Sequence, residues 1–240
     1  MFTIQDSPWD THYFGVSCAK VELAGLLTEQ EKAVFLEQIE PYQYITVCNP
    51  DAFAENNAFL HNIPGSQKTD TNIRLQNEAP YFVPKGISPQ MELAITDTLF
   101  DMDIQKQVPG IFSASRFYHD PNISKEKADG IYISWLQNAR KRKSKYFCTC
   151  RIDGTFAGLI LFQKDAESLV RIELIFTSTS FRHCGVGSAM MYRLFDFCNQ
   201  NNITRILVGT QERNQNALQF YRRNGFIDIN KTHIFHIWKD

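Results

Sequence analysis

The chain has 240 residues, of which 43% are hydrophobic and 13% aromatic, so it can bury a sizeable core and intrinsic disorder is excluded. Its 25 basic and 26 acidic residues give a formal net charge of −1. That balance lacks the basic excess of nucleic-acid-binding proteins, so we expect no nucleic-acid partner.

Membrane, metal and disulfide sites are not expected from the sequence. No apolar run approaches the length of a transmembrane helix, and the N-terminal stretch has neither the basic nor the apolar region of a secretory signal. The six cysteines form no Cys-x-x-Cys pair. These features predict a reduced, cytoplasmic protein without a metal site or a membrane partner.

The first third of the chain is typical of alternating strands and helices. Hydrophobic patterns predict strands over residues 16–23, 44–48 and 71–76, and helices over 28–40 and 52–62. The longer helix opens on Thr-x-x-Glu, the pattern of a capping box. Three prolines and a glycine follow within residues 77–90. We therefore expect a domain boundary near residue 86, with an α/β domain over 1–86 and a second domain over 87–240.

The second part of the chain predicts a different order of elements. An Asp-Gly pair within residues 145–165 indicates a hairpin with a tight turn. The remaining patterns predict helices over 91–100 and 127–141, a strand over 168–178, a helix from about 187, a strand over 205–211, a helix from 215 and a final strand over 232–239.

The turn between the strand over 168–178 and the next helix carries an Arg-x-x-Gly-x-Gly pattern from Arg182 to Gly187. Glycines at 185 and 187 would let a ligand approach the backbone, and a helix start offers unpaired N–H groups. Together these features favour an anion site for a phosphate or pyrophosphate. The Rossmann and P-loop patterns are absent, because neither a third spaced glycine nor Gly-Lys-Ser/Thr follows.

A second motif lies some 25 residues further on, over residues 208–226. Asn214 is placed to cap a helix, Gly225 is placed to end it, and Tyr221 lies one turn before that end. The two motifs, in this order and at this separation, resemble the GNAT superfamily of acyl-CoA-dependent N-acyltransferases. The resemblance implies an α/β fold whose mixed, mostly antiparallel sheet is splayed at the acyl-CoA site, joined to a smaller α/β N-terminal domain.

The resemblance also implies which residues bind acyl-CoA. The turn amides would hold the pyrophosphate, two parting strands would admit the pantetheine arm, and a backbone N–H near Phe176 or Thr177 would stabilise the oxyanion. The cofactor-binding residues so implied are Phe176, Thr177, Arg182, His183, Cys184, Gly185, Val186, Gly187, Ser188 and Asn214. Many relatives carry glycine directly after the arginine, where this chain has His183, so the path of the turn's backbone is an open question.

Four further stretches resemble the branch of the superfamily that acylates sugar nucleotides. They are WDTHYFG at 9–15, DTNIRL at 70–75, SRFYHDPNI at 115–123 and ADGIYISWLQNA at 128–139. The reference member of the branch acts on a dTDP-4-amino-4,6-dideoxygalactose. Thr71 and Asn72 would then bind the sugar hydroxyls, although both also suit an ordinary strand. Ser115 and Arg116 would contact the diphosphate, with a surface salt bridge as the alternative for the arginine.

Acyl transfer to an amine requires a neutral nitrogen, a donor for the carbonyl oxygen and a proton for the leaving thiolate. Tyr221 matches the superfamily's proton donor. Glu173 lies in an apolar strand, where it is either a base or a structural carboxylate paired with Arg171 or exposed at an edge. His119 is either a base or a surface residue. Ordered water could also take the proton.

The sequence therefore predicts an enzyme that transfers an acetyl or short 3-hydroxyacyl group from acyl-CoA to the 3- or 4-amino group of a dTDP-linked amino-dideoxyhexose. Its product would serve a cell-surface polysaccharide such as lipopolysaccharide. The alternatives are a GNAT enzyme for another small amine or a protein N-terminus, and a CoA-binding module without turnover. A final strand at the edge of the sheet would also offer a surface for a homodimer.

Overall fold

A computed structural model describes residues 1–78, 88–98, 102–166 and 168–239 of the chain. The predicted boundary near residue 86 lies outside the described residues. In chain order the α-helices are α1 (Pro8–Phe14), α2 (Glu29–Ile39), α3 (Asn56–His61), α4 (Lys125–Ala139), α5 (Val186–Gln200) and α6 (Gln215–Arg223). The strands are β1 (Phe2–Asp6), β2 (Cys18–Leu23), β3 (Tyr44–Pro50), β4 (Ser66–Glu78), β5 (Met91–Thr96), β6 (Lys145–Ile152), β7 (Thr155–Ala166), β8 (Leu169–Thr177), β9 (Arg205–Gln211) and β10 (Ile227–Trp238).

All of these strands belong to one ten-stranded sheet in the order β1-β2-β3-β10-β4-β9-β8-β7-β6-β5. The pairs β2–β3 and β8–β9 are parallel, and the other neighbours are antiparallel. The fold is therefore the α/β arrangement with a mixed, mostly antiparallel sheet that the sequence predicted.

The final strand, β10, lies inside the sheet and not at its edge. It pairs with β3 from Thr232↔Pro50 to Trp238↔Tyr44, and its other side pairs with β4. The expectation of a final strand at the edge, free to pair with a second copy, is wrong. Within the described residues the edge strands are β1 and β5.

Helices cover both faces of the sheet, and three buried clusters form the core. On one face α4 packs against β6 to β8, with Ile131 and Leu136 buried against Leu159. On the opposite face α5 and α6 pack against the same strands and β9, with Met190 at the centre. The third cluster joins α2 and α3 to β2, β3 and β10 and buries Phe35 completely. None of the described helices has the length and hydropathy that crossing a membrane requires.

One prediction of local structure was wrong, and two elements were missed. Residues 91–96 form a strand and not a helix, because Met91 to Thr96 alternate in burial and pair with β6. The rest of that predicted helix, from 99, lies outside the described residues. The sequence reasoning also missed β1 and α1, although Pro8 begins α1 and Gly15 ends it with a φ of 76°. The capping box of α2 is confirmed, with reciprocal bonds between Thr28 and Glu31.

Candidate active site

The sheet opens between β8 and β9. The two strands pair in parallel from Leu169↔Arg205 only as far as Ile172↔Val208, although β8 continues to Thr177 and β9 to Gln211. Over Phe176 and Thr177 the other edge of β8 still pairs with β7. The parting strands therefore leave a gap bordered by backbone groups that a continuous sheet would have paired.

A cavity of about 710 Å³ lies at this gap. It reaches from β8 and β9 to the N-terminal strands and to α1, and helix α4 forms one wall. Residues that carry polar or aromatic side chains into its lining include Trp9, Asp10, Lys20, Asp70, Asn72, Ser115, Arg116, Tyr132, Trp135, Lys145, Glu173, Gln211, Asn214 and Tyr221. The cavity is thus built from both ends of the sequence.

The turn from Arg182 to Gly185 is exposed and adopts a left-handed backbone conformation at two residues. His183 has a φ of 63° and Gly185 a φ of 80°, which is the conformation that glycine adopts without strain. His183 therefore follows the path that a glycine would take, as histidine does more readily than most residues. The backbone of the turn therefore keeps the path expected for a glycine at position 183.

The first turn of α5 presents unpaired amides next to this turn. The first bond of the helix runs from the Ala189 N–H to the Gly185 carbonyl, so the N–H groups of Val186, Gly187 and Ser188 have no partner within the helix. A Cβ built on Gly185 would meet nothing within 4 Å, so the backbone is open to a ligand. Free amides, an open approach and the positive end of a 15-residue helix fit a phosphate.

Tyr221 lies on α6, with its side chain in the lining of the cavity and only 2% exposed. Asn214 caps this helix by accepting the Ala217 N–H at 3.2 Å, and Gly225 follows its end with a φ of 81°. Burial raises the pKa of Tyr221 well above its ordinary value. The phenol is therefore protonated at neutral pH and is able to donate a proton to a base formed beside it.

Glu173 also lines the cavity, but its carboxylate is engaged by two other side chains. Lys145 pairs with Oε1, and Trp135 donates from Nε1 to Oε2 at 3.1 Å. The predicted partner was Arg171, which instead pairs with Asp165 at 2.8 Å. The two occupied oxygens favour the structural interpretation of Glu173 over the catalytic one.

His119 and its neighbour Asp120 have opposite surroundings. His119 is exposed and is not among the residues that line the cavity, and partial desolvation together with Arg213 lowers its pKa. Asp120 is buried and accepts hydrogen bonds from His236 Nδ1 at 2.6 Å and Trp238 Nε1 at 2.8 Å. Asp120 thus ties the 115–123 loop to β10. His119, one of the candidate bases, does not line the cavity.

Three of the four predicted sugar-binding residues line the cavity. Asn72 projects into it beside Gly209, where an added Cβ would lie 3.2 Å from the Asn72 amide oxygen. Ser115 and Arg116 line it from the loop before α4, and the Arg116 guanidinium lies 4.5 Å from the centre of the Phe117 ring. Thr71 does not line the cavity; its carbonyl accepts the Glu212 N–H at 2.7 Å.

The sequence reasoning missed Asp70, which shares the cavity-facing side of β4 with Asn72. Asp70 is 3% exposed, and burial raises its pKa to about 6. A carboxylate inside a strand is unusual and was the available signal, but it had been considered only as part of the DTNIRL resemblance. Trp9 and Trp135, about 37% and 38% exposed at the cavity, were missed as well.

Part of the chain matches a known protein family, and most of it aligns with a known protein. The family model described as "Acetyltransferase (GNAT) family" matches residues 112–226. The chain is 21% identical over 252 residues to the spore coat polysaccharide biosynthesis protein SpsD of Bacillus subtilis (strain 168), a match that covers 98% of this chain and 82% of that protein. It is 22% identical over 110 residues to streptothricin acetyltransferase A of the same strain, covering 46% of this chain and 61% of that protein.

The fold is also shared with solved structures. A GCN5-related N-acetyltransferase from Kribbella flavida superposes with a TM-score of 0.63 at 12% sequence identity, covering 92% of this chain and 82% of that one. At this level of identity the likeness concerns the fold alone. The likeness covers the sheet and the helices that carry the gap between β8 and β9.

Proposed function

Because residues 112–226 belong to the GNAT acetyltransferase family, we propose that the protein acylates the amino group of a dTDP-linked amino-dideoxyhexose with acyl-CoA. The observation that carries this proposal is the cavity of about 710 Å³, which joins the gap between β8 and β9 to a wall built from the N-terminal strands and α1. A pocket of this size suits a small molecule of several linked parts.

Acyl-CoA would be held by the backbone groups of the GNAT half of the chain. The amides of residues 183 to 188 would bind the pyrophosphate, and the pantetheine arm would lie between β8 and β9. Acyl-CoA supplies the activated thioester carbonyl. A backbone N–H near Phe176 or Thr177 would stabilise the charge on the carbonyl oxygen, and Tyr221 would give its proton to the leaving sulfur.

The acceptor side of the cavity has the chemistry that a sugar nucleotide requires. Asn72 offers an amide to sugar hydroxyls, and the Arg116 guanidinium suits a diphosphate. Trp9 and Trp135 expose ring surface at the cavity, on which a base could stack. The similarity to SpsD, named a spore coat polysaccharide biosynthesis protein, supports a role in polysaccharide biosynthesis but does not identify the sugar.

Another small amine is the second candidate, and a specific observation favours it. Asp10 and Asp70 both line the cavity, and carboxylates would also suit a strongly cationic acceptor. The similarity to streptothricin acetyltransferase A points the same way, although it spans less than half of this chain. A protein N-terminus is a poorer fit, because α1 and the 111–117 segment cover the acceptor side that a polypeptide would need open.

Release of free CoA thiol on a two-way panel tests the proposal. The acceptors are dTDP-3-amino and dTDP-4-amino dideoxyhexoses, and the donors are acetyl-CoA and 3-hydroxybutyryl-CoA. The matched control is the same dTDP-sugar with a hydroxyl group in place of the amine. We expect thiol release with one amino sugar and none with the hydroxyl control. Release with a polyamine, an amino acid or streptothricin alone would instead support the second candidate.

A further inference from the structure

Four carboxylates lie in or beside the cavity wall, and they differ in burial and in their partners. Asp10 is half-buried on α1, where burial raises its pKa and Arg116 and Ser7 oppose that rise. Asp120 accepts from His236, Trp238 and the Asn122 N–H, and it does not line the cavity. Glu173 lines the cavity but is engaged at both oxygens by Lys145 and Trp135. Neither Asp120 nor Glu173 is available to an incoming amine without breaking an existing contact.

Asp70 is the exception. Its Oδ1 accepts the Thr71 N–H at 2.8 Å, and within the described part of the chain its other oxygen has no hydrogen-bond or ion-pair partner. The residue is only 3% exposed, yet it forms part of the cavity wall. Oδ2 is not among the fully buried side-chain atoms that lack a partner in the described part of the chain, so it is accessible from the cavity, where a ligand could supply a donor.

The elements around Asp70 bring it into the same cavity as the candidate reacting groups. Asn72 lies two residues further along β4 on the same face, and its side chain packs over Gly209 of β9 at the gap where the strands part. Tyr221 lines the same cavity from α6. Asp70 therefore borders the same cavity as Asn72 and Tyr221.

We propose that Asp70 receives the ammonium group of the acceptor and removes one proton from it before the nitrogen attacks the thioester. The inference rests on the proposed function, because it requires the acceptor to be an amine. It assigns to β4, in the N-terminal half of the chain, a role that the sequence reasoning had considered for Glu173 or His119.

The step balances without a further reagent. The ammonium group passes one proton to the Asp70 carboxylate and becomes a neutral amine. Its nitrogen forms the C–N bond to the thioester carbon as the C–S bond breaks, and the thiolate takes the proton of Tyr221. The second proton lost by the nitrogen restores the phenol, and Asp70 releases its proton to solvent. The overall products are one amide, one thiol and one proton.

The charged and titratable groups around Asp70 suit a base that works near neutral pH. Burial raises its pKa to about 6, and Arg213 and Arg116 oppose this shift without forming an ion pair with it. Glu212 raises the pKa further, and Tyr132 faces Asp70 from α4 as a neutral phenol. A carboxyl group with this pKa is ionised at pH 7 and still basic enough to accept a proton from an ammonium group.

The test compares Asp70→Asn with wild type across a range of pH. Removal of a general base lowers kcat/KM by about 100-fold or more at pH 7. In wild type, kcat/KM should fall at low pH near the pKa of Asp70. In Asp70→Asn this fall should move up to the pKa of the acceptor amine, because the variant can use only acceptor molecules that are already neutral in solution. Asp70→Glu should recover part of the activity. CoA affinity, measured by calorimetry, should stay within about 3-fold in all variants, because Asp70 does not bind CoA.

Glu173→Gln and Asp10→Asn are the matched controls, because each neutralises another carboxylate in the cavity wall. The inference is overturned if Asp70→Asn keeps kcat/KM within about 3-fold of wild type with the same pH profile, or if either control variant alone moves the low-pH limb. Failure of wild type on every sugar nucleotide would refute only the proposed substrate class. The same variants are then compared on whichever amine wild type acylates, since any ammonium acceptor must lose the same proton.

Discussion

At the scale of single residues, the partners of a buried carboxylate decide its protonation. Burial alone would raise the pKa of Asp120, but hydrogen bonds from His236 and Trp238 outweigh it and hold that pKa below its ordinary value. Asp70 has only one backbone donor, and its pKa is raised to about 6. Asp120 therefore stabilises the fold as an anion, whereas Asp70 destabilises the fold when it is charged.

Replacement of Asp70 by Asn should stabilise the protein in a way that depends on pH. A carboxyl group whose pKa is higher in the folded than in the unfolded chain lowers stability as pH rises from about 4 to about 6, and the loss is complete at pH 7. Asp70→Asn should then raise the free energy of unfolding at pH 7 by on the order of 1–3 kcal/mol. Denaturant unfolding at pH 7 and pH 4 measures this gain, which should vanish at the lower pH. An equal effect at both values would contradict it.

Tyr221→Phe should separate chemistry from binding. The substitution removes the proton that the leaving thiolate is expected to take, while the ring still fills its place beside Phe220 and Phe226. We expect kcat to fall by about 100-fold or more, with CoA affinity almost unchanged. Steady-state kinetics and calorimetry with CoA give the two numbers. Equal losses in both would remove the proton-donor role from Tyr221.

At the scale of elements, a glycine of β7 lets α5 reach its position. A Cβ added to Gly158 would lie 2.9 Å from the Phe176 carbonyl oxygen and 3.0 Å from a methyl group of Val186, the first residue of α5. The start of α5 and the end of β8 thus share one close contact. Both belong to the predicted acyl-CoA site, so the absence of a side chain at 158 sets its geometry.

Gly158→Ala should weaken CoA binding as well as stability. The added methyl group would lie 2.8 Å from the Met190 Cε atom, which can move, but it would also push on the β8 carbonyl of Phe176 and on Val186, which costs about 1–3 kcal/mol of stability. CoA affinity should fall several-fold, as measured by calorimetry. The control is Gly154→Ala in the β6–β7 turn, where a φ of 74° imposes strain of about 1–2 kcal/mol. The prediction fails if the two variants lose CoA affinity equally, because the effect would then follow stability and not position.

Local patterns predicted most of the elements and much of the acyl-CoA site. The bounds of β9, the capping box of α2 and the Asn214 cap depend on residues close in sequence, so the patterns were sufficient. The strand β5 was predicted as a helix because MELAIT is short and suits both periods, and only its pairing with β6 decides between them. Asp70 carried one signal, a carboxylate inside a strand, but its burial and its place in the cavity wall depend on the surrounding fold and cannot be read from the sequence.

At the scale of the whole molecule, β10 joins the two halves of the sheet. Its neighbours β3 and β4 are both N-terminal strands, and neither pairs with the other. The sequence patterns predicted most of the strands but not their order, because order depends on contacts between distant segments. The division of the chain at residue 86 stays a prediction, since that position lies outside the described residues.

A fragment of residues 1–86 should therefore not fold by itself. It would carry β1 to β3 as one sheet and β4 without either of its partners, β9 and β10. We expect a non-cooperative denaturant transition by circular dichroism for this fragment, and a single cooperative transition for the full chain. Co-expression with residues 87–240 supplies both missing strands and is the positive control. A cooperative transition in the isolated fragment would mean that the N-terminal half is an independent domain.

The central place of β10 also governs when the protein can fold during synthesis. β4 ends at Glu78 and β10 begins at Ile227, so about 150 residues must be added before the strand that separates β3 from β4 exists. At ordinary translation rates this takes roughly 8 to 30 s. During that interval β3 and β4 each present an unsatisfied edge on the nascent chain, which is the kind of surface that chaperones bind and that seeds aggregation. Completion of this sheet must therefore wait until β10 has left the ribosome.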